Sequence, residues 1–483
     1  MKFYGLIGLL IYFAVLLLVV LREKKNHNAF EFFFAGRTLP FWALSITFIA
    51  SWWGAGSALS TADLAYDDGI GAFIYYGMPV LISTFLLIVG AKAIRQIDYL
   101  TQGEMMEARY SPFAAKMLSL MILVFMIFNA ASQMVGIGMF FGSYLDIPYH
   151  YAVILGTLFV LIYSMFGGFR AVVLTDIIQF TLLTIAAIVV FGVSYYHAGG
   201  ISHISQYAYE QGRTDYMNIS KGTGKYLMYV VTFGCSWVIQ ANVWQRISAA
   251  KNAKDAKKMA SLSFFLYIPL YLIVVLTGMA GYVLFPKLPE GGIVVAIVKE
   301  YMAPAVGGLV FVGIAAAIMS TMDSLINTGA MTLVLDFGMG KENNNSTSSS
   351  KIATLIVSLI AVTIALKIKS MLTVSWIASD VITTGVFIPL ILGFVWRRGT
   401  SQGAVASMVS GLIYSFYNLL IQLGVDLPAF WEHGAFSQVL VGVSISTVVY
   451  FSISLLTPAQ YQKADAFINK ANFMPYTDKS NGA

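Results

Sequence analysis

Charge is what this sequence has least of. Only 11% of its 483 residues are Asp, Glu, Lys or Arg, less than half the share in an average soluble domain, which excludes a molecule bathed in water on every side. Cysteine is scarcer still. Cys235 stands alone, so no disulfide can close within the chain and no multi-cysteine metal site can form. The five histidines (His27, His150, His197, His203, His433) fall in loops or at the ends of apolar stretches, and His-Glu-x-x-His does not occur. An intramembrane zinc or haem enzyme is therefore not expected, and neither a nucleophile–base pair nor a soluble output domain is visible to support an embedded enzyme or a sensor. What is abundant is apolar: 58% of the residues are hydrophobic and the mean hydropathy is +0.77. The chain reads as a membrane protein, in which the surplus of 29 Lys and Arg over 23 Asp and Glu informs orientation rather than nucleic-acid binding.

A membrane span needs roughly 20 mainly apolar residues, and thirteen stretches qualify: about 4–21, 40–62, 71–91, 114–142, 150–166, 172–196, 226–245, 262–285, 303–335, 352–368, 371–396, 401–423 and 435–456. Lipid leaves no room for unsatisfied backbone and these stretches are too long for barrel strands, so an all-α polytopic fold is predicted. The first stretch lacks a small-residue cleavage site and runs into Arg22-Glu23-Lys24-Lys25, which predicts a retained anchor. With the N-terminus outside, 21 of the 29 basic residues, Arg109, Arg170 and Arg246 among them, fall on cytoplasmic loops, which predicts N-terminus out and C-terminus in. The segment 197–225 is expected to be an outer loop with a short lid, 340–350 a flexible low-complexity linker, and the tail from Thr457 too short for a second domain.

Five spans carry more than a lipid-facing helix needs. The second contains Trp52-Trp53-Gly54-Ala55-Gly56-Ser57, two mid-membrane glycines that each cost about 1 kcal/mol against alanine. They serve either close helix packing or an unwound turn whose carbonyls a dehydrated cation would satisfy. In the ninth, Ala317, Ser320, Thr321 and Ser324 share one helix face; hydroxyls so placed either bond back to their own helix or offer oxygen ligands to a hard monovalent cation. Asp323 lies in the same apolar stretch, and a buried carboxylate must pair with a cation or take up a proton. In the sixth, Asp176 lies about 9 Å deeper than Arg170 at 1.5 Å per residue, at a spacing that is neither i,i+3 nor i,i+4. The seventh holds Gly234, Gln240, Asn242 and Gln245, amides that either join helices or face a polar solute. Asp380, in the eleventh, is a further deep carboxylate in need of a partner.

The run Phe34-Ala35-Gly36-Arg37-Thr38-Leu39-Pro40, the pattern Gly167-Gly168-x-Arg170-Ala171…Thr175-Asp176-x-x-Gln179, the pair Gln245-Arg246 and the Ala317…Ser320-Thr321 stripe together resemble the sodium/solute symporter family, which includes sodium-coupled proline, glucose, sialic acid, iodide and choline carriers. The resemblance implies a five-plus-five inverted repeat of the leucine-transporter type. On this chain that gives one transmembrane domain over 1–483: a leading helix and loop (1–39), a first repeat (40–196), a second (226–396), two trailing helices (397–456) and a cytoplasmic tail (457–483).

The resemblance further implies a sodium site at Ala50, Trp53, Ala317, Ser320 and Thr321, and a second cation or proton site at Asp176, Ser320, Asp323 and Ser324. Asp323 stands where the family usually has serine, adding a negative charge that some counter-charge must offset. Solute contacts implied by position are Ser57, Tyr75, Trp237, Gln240, Asn242 and Asp380. Asn242 takes the place where sugar carriers tend to put an aromatic gate, which argues against a sugar. Trp faces and carboxylates suit an ammonium group, so an amine-bearing solute, an amino acid or a quaternary amine, is the expectation. The function implied is sodium-coupled symport by alternating access, with sodium as coupling ion, no cofactor, no enzymatic activity, lipid and a small solute as partners and no nucleic acid. A proton-coupled carrier on the same fold, titrating at Asp323 or Asp176, is the alternative. The plasma (inner) membrane is the expected location.

Overall fold

Backbone N–H and C=O groups in lipid must bond within their own segment, and this chain meets that demand with helices throughout. The computed structural model describes residues 2–22, 29–339, 347–422, 425–428 and 435–472. In chain order the helices are α1 (Lys2–Arg22), α2 (Ala29–Phe34), α3 (Phe41–Ala50), α4 (Thr61–Asp68), α5 (Phe73–Gln96), α6 (Gln102–Arg109), α7 (Pro112–Leu145), α8 (Tyr149–His197), α9 (Gly200–Glu210), α10 (Lys221–Val238), α11 (Ala241–Ser248), α12 (Ala253–Leu284), α13 (Ile293–Tyr301), α14 (Pro304–Met331), α15 (Thr347–Lys367), α16 (Met371–Gly385), α17 (Phe387–Gly393), α18 (Ser401–Gln422), α19 (Ala435–Leu456) and α20 (Tyr461–Ala471).

Helix occurs at each of the thirteen predicted stretches, but length and apolarity alone qualify nine helices among the described residues as crossings, or ten if the bent pair α16–α17 is one. The difference has a physical cause. Several predicted spans are interrupted: α3 stops at Ala50 and the chain resumes helix through Gly56–Ser60 into α4, α10 and α11 are parted at Gln240, and α16 meets α17 at 47°. Each fragment alone is shorter than the hydrocarbon core is thick. α8 is two arms joined at Gly168, whose φ of 60° and ψ of −170° belong to a region essentially reserved for glycine.

Loops and ends follow local chemistry. Thr101 accepts the Glu104 N–H to start α6, Ser111 accepts from Ala114 ahead of Pro112 to start α7, and Asn252 accepts from Asp255 to start α12, each a side-chain oxygen taking a donor the helix cannot satisfy itself. The predicted outer loop 197–225 contains α9 as its short helix. Its later part is tied to the end of α4, where Arg213 Nη1 donates to Asp67 O at 2.7 Å and the Tyr216 hydroxyl to Ala65 O at 2.8 Å. Of the predicted linker, 340–346 lies outside the described residues, and Thr347–Ser350 begins α15 rather than continuing a loop. The tail from 473 also lies outside them, but α20 buries Phe467 and Ile468 against the bundle.

Arg109, counted among the cytoplasmic basic residues, is buried. Its guanidinium donates to the carbonyls of Gly393 at 2.9 Å, Trp396 at 2.9 Å and Gly399 at 3.2 Å, gripping the turn between α17 and α18. Helices elsewhere approach closely through small residues. A Cβ on Gly278 of α12 would lie 2.9 Å from the Ala62 carbonyl carbon of α4, and backbone cannot yield as a side-chain tip can.

Replacing Gly168 by alanine should destabilise the protein by about 1–3 kcal/mol, since any Cβ strains this backbone region. Thermal unfolding in detergent reads the effect, and a melting temperature unchanged by G168A would show that α8 does not need its break.

Candidate ion and solute site

Two helix breaks meet at mid-bundle. At the first, the Trp53 N–H still reaches Ile49 O at 2.9 Å and the Ala58 N–H reaches Gly54 O at 3.0 Å, so regular helix lapses only around Trp53–Ala55. Gln133 of α7 receives the freed Ala55 N–H on its side-chain oxygen at 2.9 Å. Gly54 is required by crowding: a Cβ there would come 2.8 Å from Gln133 Cδ and 3.1 Å from Thr321 Oγ1. The second break falls at Gln240, which is extended with φ −68° and ψ 123°, while Gly234 sits inside α10. Trp244 Nε1 donates to the Val238 carbonyl at 2.7 Å, and Trp52 Nε1 donates to the Gln240 side-chain oxygen, joining the two breaks directly.

Facing the first break, α14 supplies hydroxyls. Ser320 Oγ lies 3.1 Å and Thr321 Oγ1 3.0 Å from Ala50 O, and the same hydroxyls lie 2.9 Å and 3.3 Å from Ala317 O. Back-bonding within α14 and reach across to α3 thus occur together. Four of the five predicted sodium ligands, Ala50, Ala317, Ser320 and Thr321, converge as an all-oxygen set of two carbonyls and two hydroxyls. Unwound carbonyls of a discontinuous helix are the usual partners of a coupling cation at mid-membrane. Trp53 is fully buried beside this set, its ring packed on Tyr271.

One turn further along α14 the character changes from neutral to charged. Asp176 is wholly buried, accepts a hydrogen bond from Thr47, and has the Arg246 guanidinium 3.8 Å away. Arg246, counted with the cytoplasmic loops by the charge tally, is equally buried; it donates to Ser324 Oγ at 2.7 Å, Thr47 Oγ1 at 3.1 Å and Asn242 O at 2.8 Å. Asp323 points to α8 instead and accepts from Ser164. Arg170 is exposed and Asp176 buried, as their spacing implied. The predicted counter-charge is therefore Arg246, one guanidinium against two carboxylates, with one oxygen of each carboxylate lacking a hydrogen-bond partner among the described residues. A single net negative charge is left for a bound cation or a proton to neutralise.

A cavity of about 30 Å³ opens where the breaks meet, lined by Ser51, Trp52, Gly54, Gly56, Ser57, Tyr76, Asn129, Gln133, Trp237, Gln240, Thr321, Leu325 and Ser375. Of the predicted solute contacts it includes Ser57, Trp237 and Gln240. Tyr75 is turned away into a ring cluster with Tyr226 and Tyr229, and its neighbour Tyr76 lines the cavity in its stead, since successive helical residues point about 100° apart. Asn242 is buried just past the break, and neither of its amide atoms has a hydrogen-bond partner among the described residues. Asp380 faces away, beside Ser415 and Asn418 of α18. Tyr76, Asn129, Gln133 and Ser375 were not singled out from the sequence. The available signal was two amides, Asn129 and Gln133, one turn apart in an otherwise apolar stretch.

The sodium:solute symporter family model matches residues 32–411. The chain is 25% identical to the sodium/glucose cotransporter of Vibrio parahaemolyticus over 475 residues, covering 86% of this chain and 85% of that one. It is 28% identical to the high-affinity proline transporter PutP of Bacillus subtilis (strain 168) over 360 residues, covering 71% and 73%. A solved structure of a substrate-bound, outward-open Na+-coupled sialic acid symporter superposes with a TM-score of 0.76 at 19% identity, covering 94% of this chain and 98% of the other, a likeness of fold.

Removing Arg246 should leave two buried carboxylates uncompensated and cost about 3–5 kcal/mol. The expected pattern is a large loss of stability in R246L and partial recovery in R246L/D176N, read by chemical or thermal unfolding. Equal stability of R246L and wild type would show that the guanidinium is not the counter-charge.

Proposed function

The chain belongs to the sodium:solute symporter family, and from that membership we propose which residues couple the ion and what kind of solute they move. It is a multi-pass membrane carrier, not an enzyme, and performs sodium-coupled symport of a small organic solute. The reading assigns the coupling sodium to Ala50, Trp53, Ala317, Ser320 and Thr321. The observation that carries it is the meeting of the Ala50 and Ala317 carbonyls with two hydroxyls of α14 within 2.9–3.3 Å. Sodium entering down its gradient, helped by about 2.3 kcal/mol per charge per 100 mV, would fix α3 against α14 and so fix the Trp52–Gln240 contact at the solute cavity. Linkage then requires the solute to raise sodium affinity by the same factor.

The solute class follows from the lining. Trp237 stacks on Phe233 at 5.1 Å and lies 5.2 Å from Tyr76 and 5.8 Å from Trp52, and the lining carries amides and hydroxyls but no Asp, Glu, Lys or Arg. Aromatic faces attract an ammonium group, and with no Lys or Arg among the described lining residues to pair an anion, a zwitterion or quaternary amine fits better than an anion. We assign Ser57, Trp237 and Gln240 to its binding. The repeats over 40–196 and 226–396 are the units that would rock about the cavity, with the N-terminus outside, the C-terminus in the cytoplasm and the inner membrane as the location.

A second reading rests on Asp323. Two carboxylates share one guanidinium, so Asp176, Asp323 and Ser324 would hold either a second sodium or a proton. S320A/T321A should lose sodium-dependent uptake by an order of magnitude or more while remaining folded, and normal sodium-driven uptake in that variant would reject the assignment. For Asp323, uptake is measured in wild type and D323N across sodium and pH series. A wild type steep in sodium and flat in pH supports sodium coupling; one indifferent to sodium, steep in pH and made pH-independent by D323N supports the proton.

A further inference from the structure

Asp380, turned away from the solute cavity, heads a second buried polar cluster in which more oxygens gather than the helices need. Its side chain is 3% exposed, lies beside Ser415 and Asn418, and has one carboxyl oxygen without a hydrogen-bond partner among the described residues. Asn418 is 1% exposed, and neither its amide oxygen nor its amide nitrogen has a hydrogen-bond partner among the described residues. The hydroxyls nearby are committed to each other: Thr384 Oγ1 is 2.8 Å from Ser415 Oγ and donates to Asp380 O at 2.8 Å. Either hydroxyl of the Ser415–Thr384 pair can be the donor, so Ser415 can turn a proton to the carboxylate or a lone pair to a cation beside it. No Lys or Arg among the described residues pairs with Asp380. A buried carboxylate beside an unbonded amide, with no counter-charge, is expensive unless something positive joins it.

We propose that Asp380, Ser415 and Asn418 form a sodium site between α16 and α18, outside the central cavity. The donor set is one carboxylate with neutral amide and hydroxyl oxygens, all hard ligands. Its single negative charge is matched by a monovalent ion, whereas a divalent one would leave an excess positive charge in apolar surroundings. The site spans a helix of the second repeat and the first trailing helix, so its ion would hold these two together whatever happens at the breaks. It goes beyond the coupling site described above and stands even if that assignment fails.

The experiment is a sodium titration of thermal stability with potassium replacing sodium at constant ionic strength, because a ligand of the native state stabilises by mass action. It is made in the S320A/T321A background, with and without D380N or N418V, and is paired with equilibrium binding of radioactive sodium. The expected result is a sodium-specific stabilisation whose half-maximal concentration rises by about tenfold or more with either added substitution, together with the loss of about one bound ion. A sodium response that D380N and N418V leave unchanged overturns the proposal. So does a response that D380N abolishes but that follows pH and ignores sodium, which would give the cluster to a proton. If D380N does not fold, N418V, which keeps the carboxylate, carries the comparison. Failure of the central site is read separately, as sodium-driven uptake surviving in S320A/T321A.

Discussion

The carbonyl of Ala50 is the pivot of this molecule. Where α3 stops, the next stretch of chain leaves the helical path, and in a region without water this carbonyl must find its hydrogens elsewhere. It finds them on Ser320 and Thr321 of a helix some 270 residues away in sequence. That single demand ties the first half of the chain to the second. It also explains why the glycine at 54 admits no side chain, why Gln133 must sit against it, and why hydroxyls rather than alkyl groups line this part of α14. On the proposed reading, a cation that took over the same oxygens would substitute for those hydrogen bonds, and ion binding and helix position would be one event.

A second layer of constraint is electrostatic. Thr47, Asp176, Arg246 and Ser324 come from four different helices and are held as one network. Arg246 leaves α11 just past the second break, so the network joins that break to the ion face of α14. Neutral oxygens thus surround one region and ionised groups the next, a turn apart on the same helix. On the proposed reading, the neutral region would discriminate by size and hydration, and the charged one would fix how many positive charges the core accepts.

Much of this was legible in the sequence, and what was not had definite reasons. Helix was expected at each apolar stretch and is found there, because a lipid environment leaves the backbone few alternatives. The pairing of a glycine-rich break with the Ser320–Thr321 face was also readable, since hydroxyls at i and i+1 beside a small residue have few uses in an apolar helix. The number of crossings was harder, because a broken helix has the composition of a whole one and the length of a half. The burial of Arg109 and Arg246 was not readable for a similar reason: a basic residue near the end of an apolar run looks the same whether it turns outward to water or inward to carbonyls and carboxylates. Tyr75 and Asp380 show the remaining limit. Each stands on a helix that touches the cavity, but which side of a helix faces it depends on packing against neighbours far along the chain, as Tyr76 and Ser375 demonstrate by taking those positions.

The grip of Arg109 on the turn after α17 has a mechanical meaning. A guanidinium is flat and offers its donors in a fixed fork, so three carbonyls held by one such group keep their mutual spacing as though they were covalently braced. The corner between α17 and α18 is consequently stiff, although it is built from loop. A lysine there would keep the charge but lose the planar template, and the corner would turn from a strut into a joint.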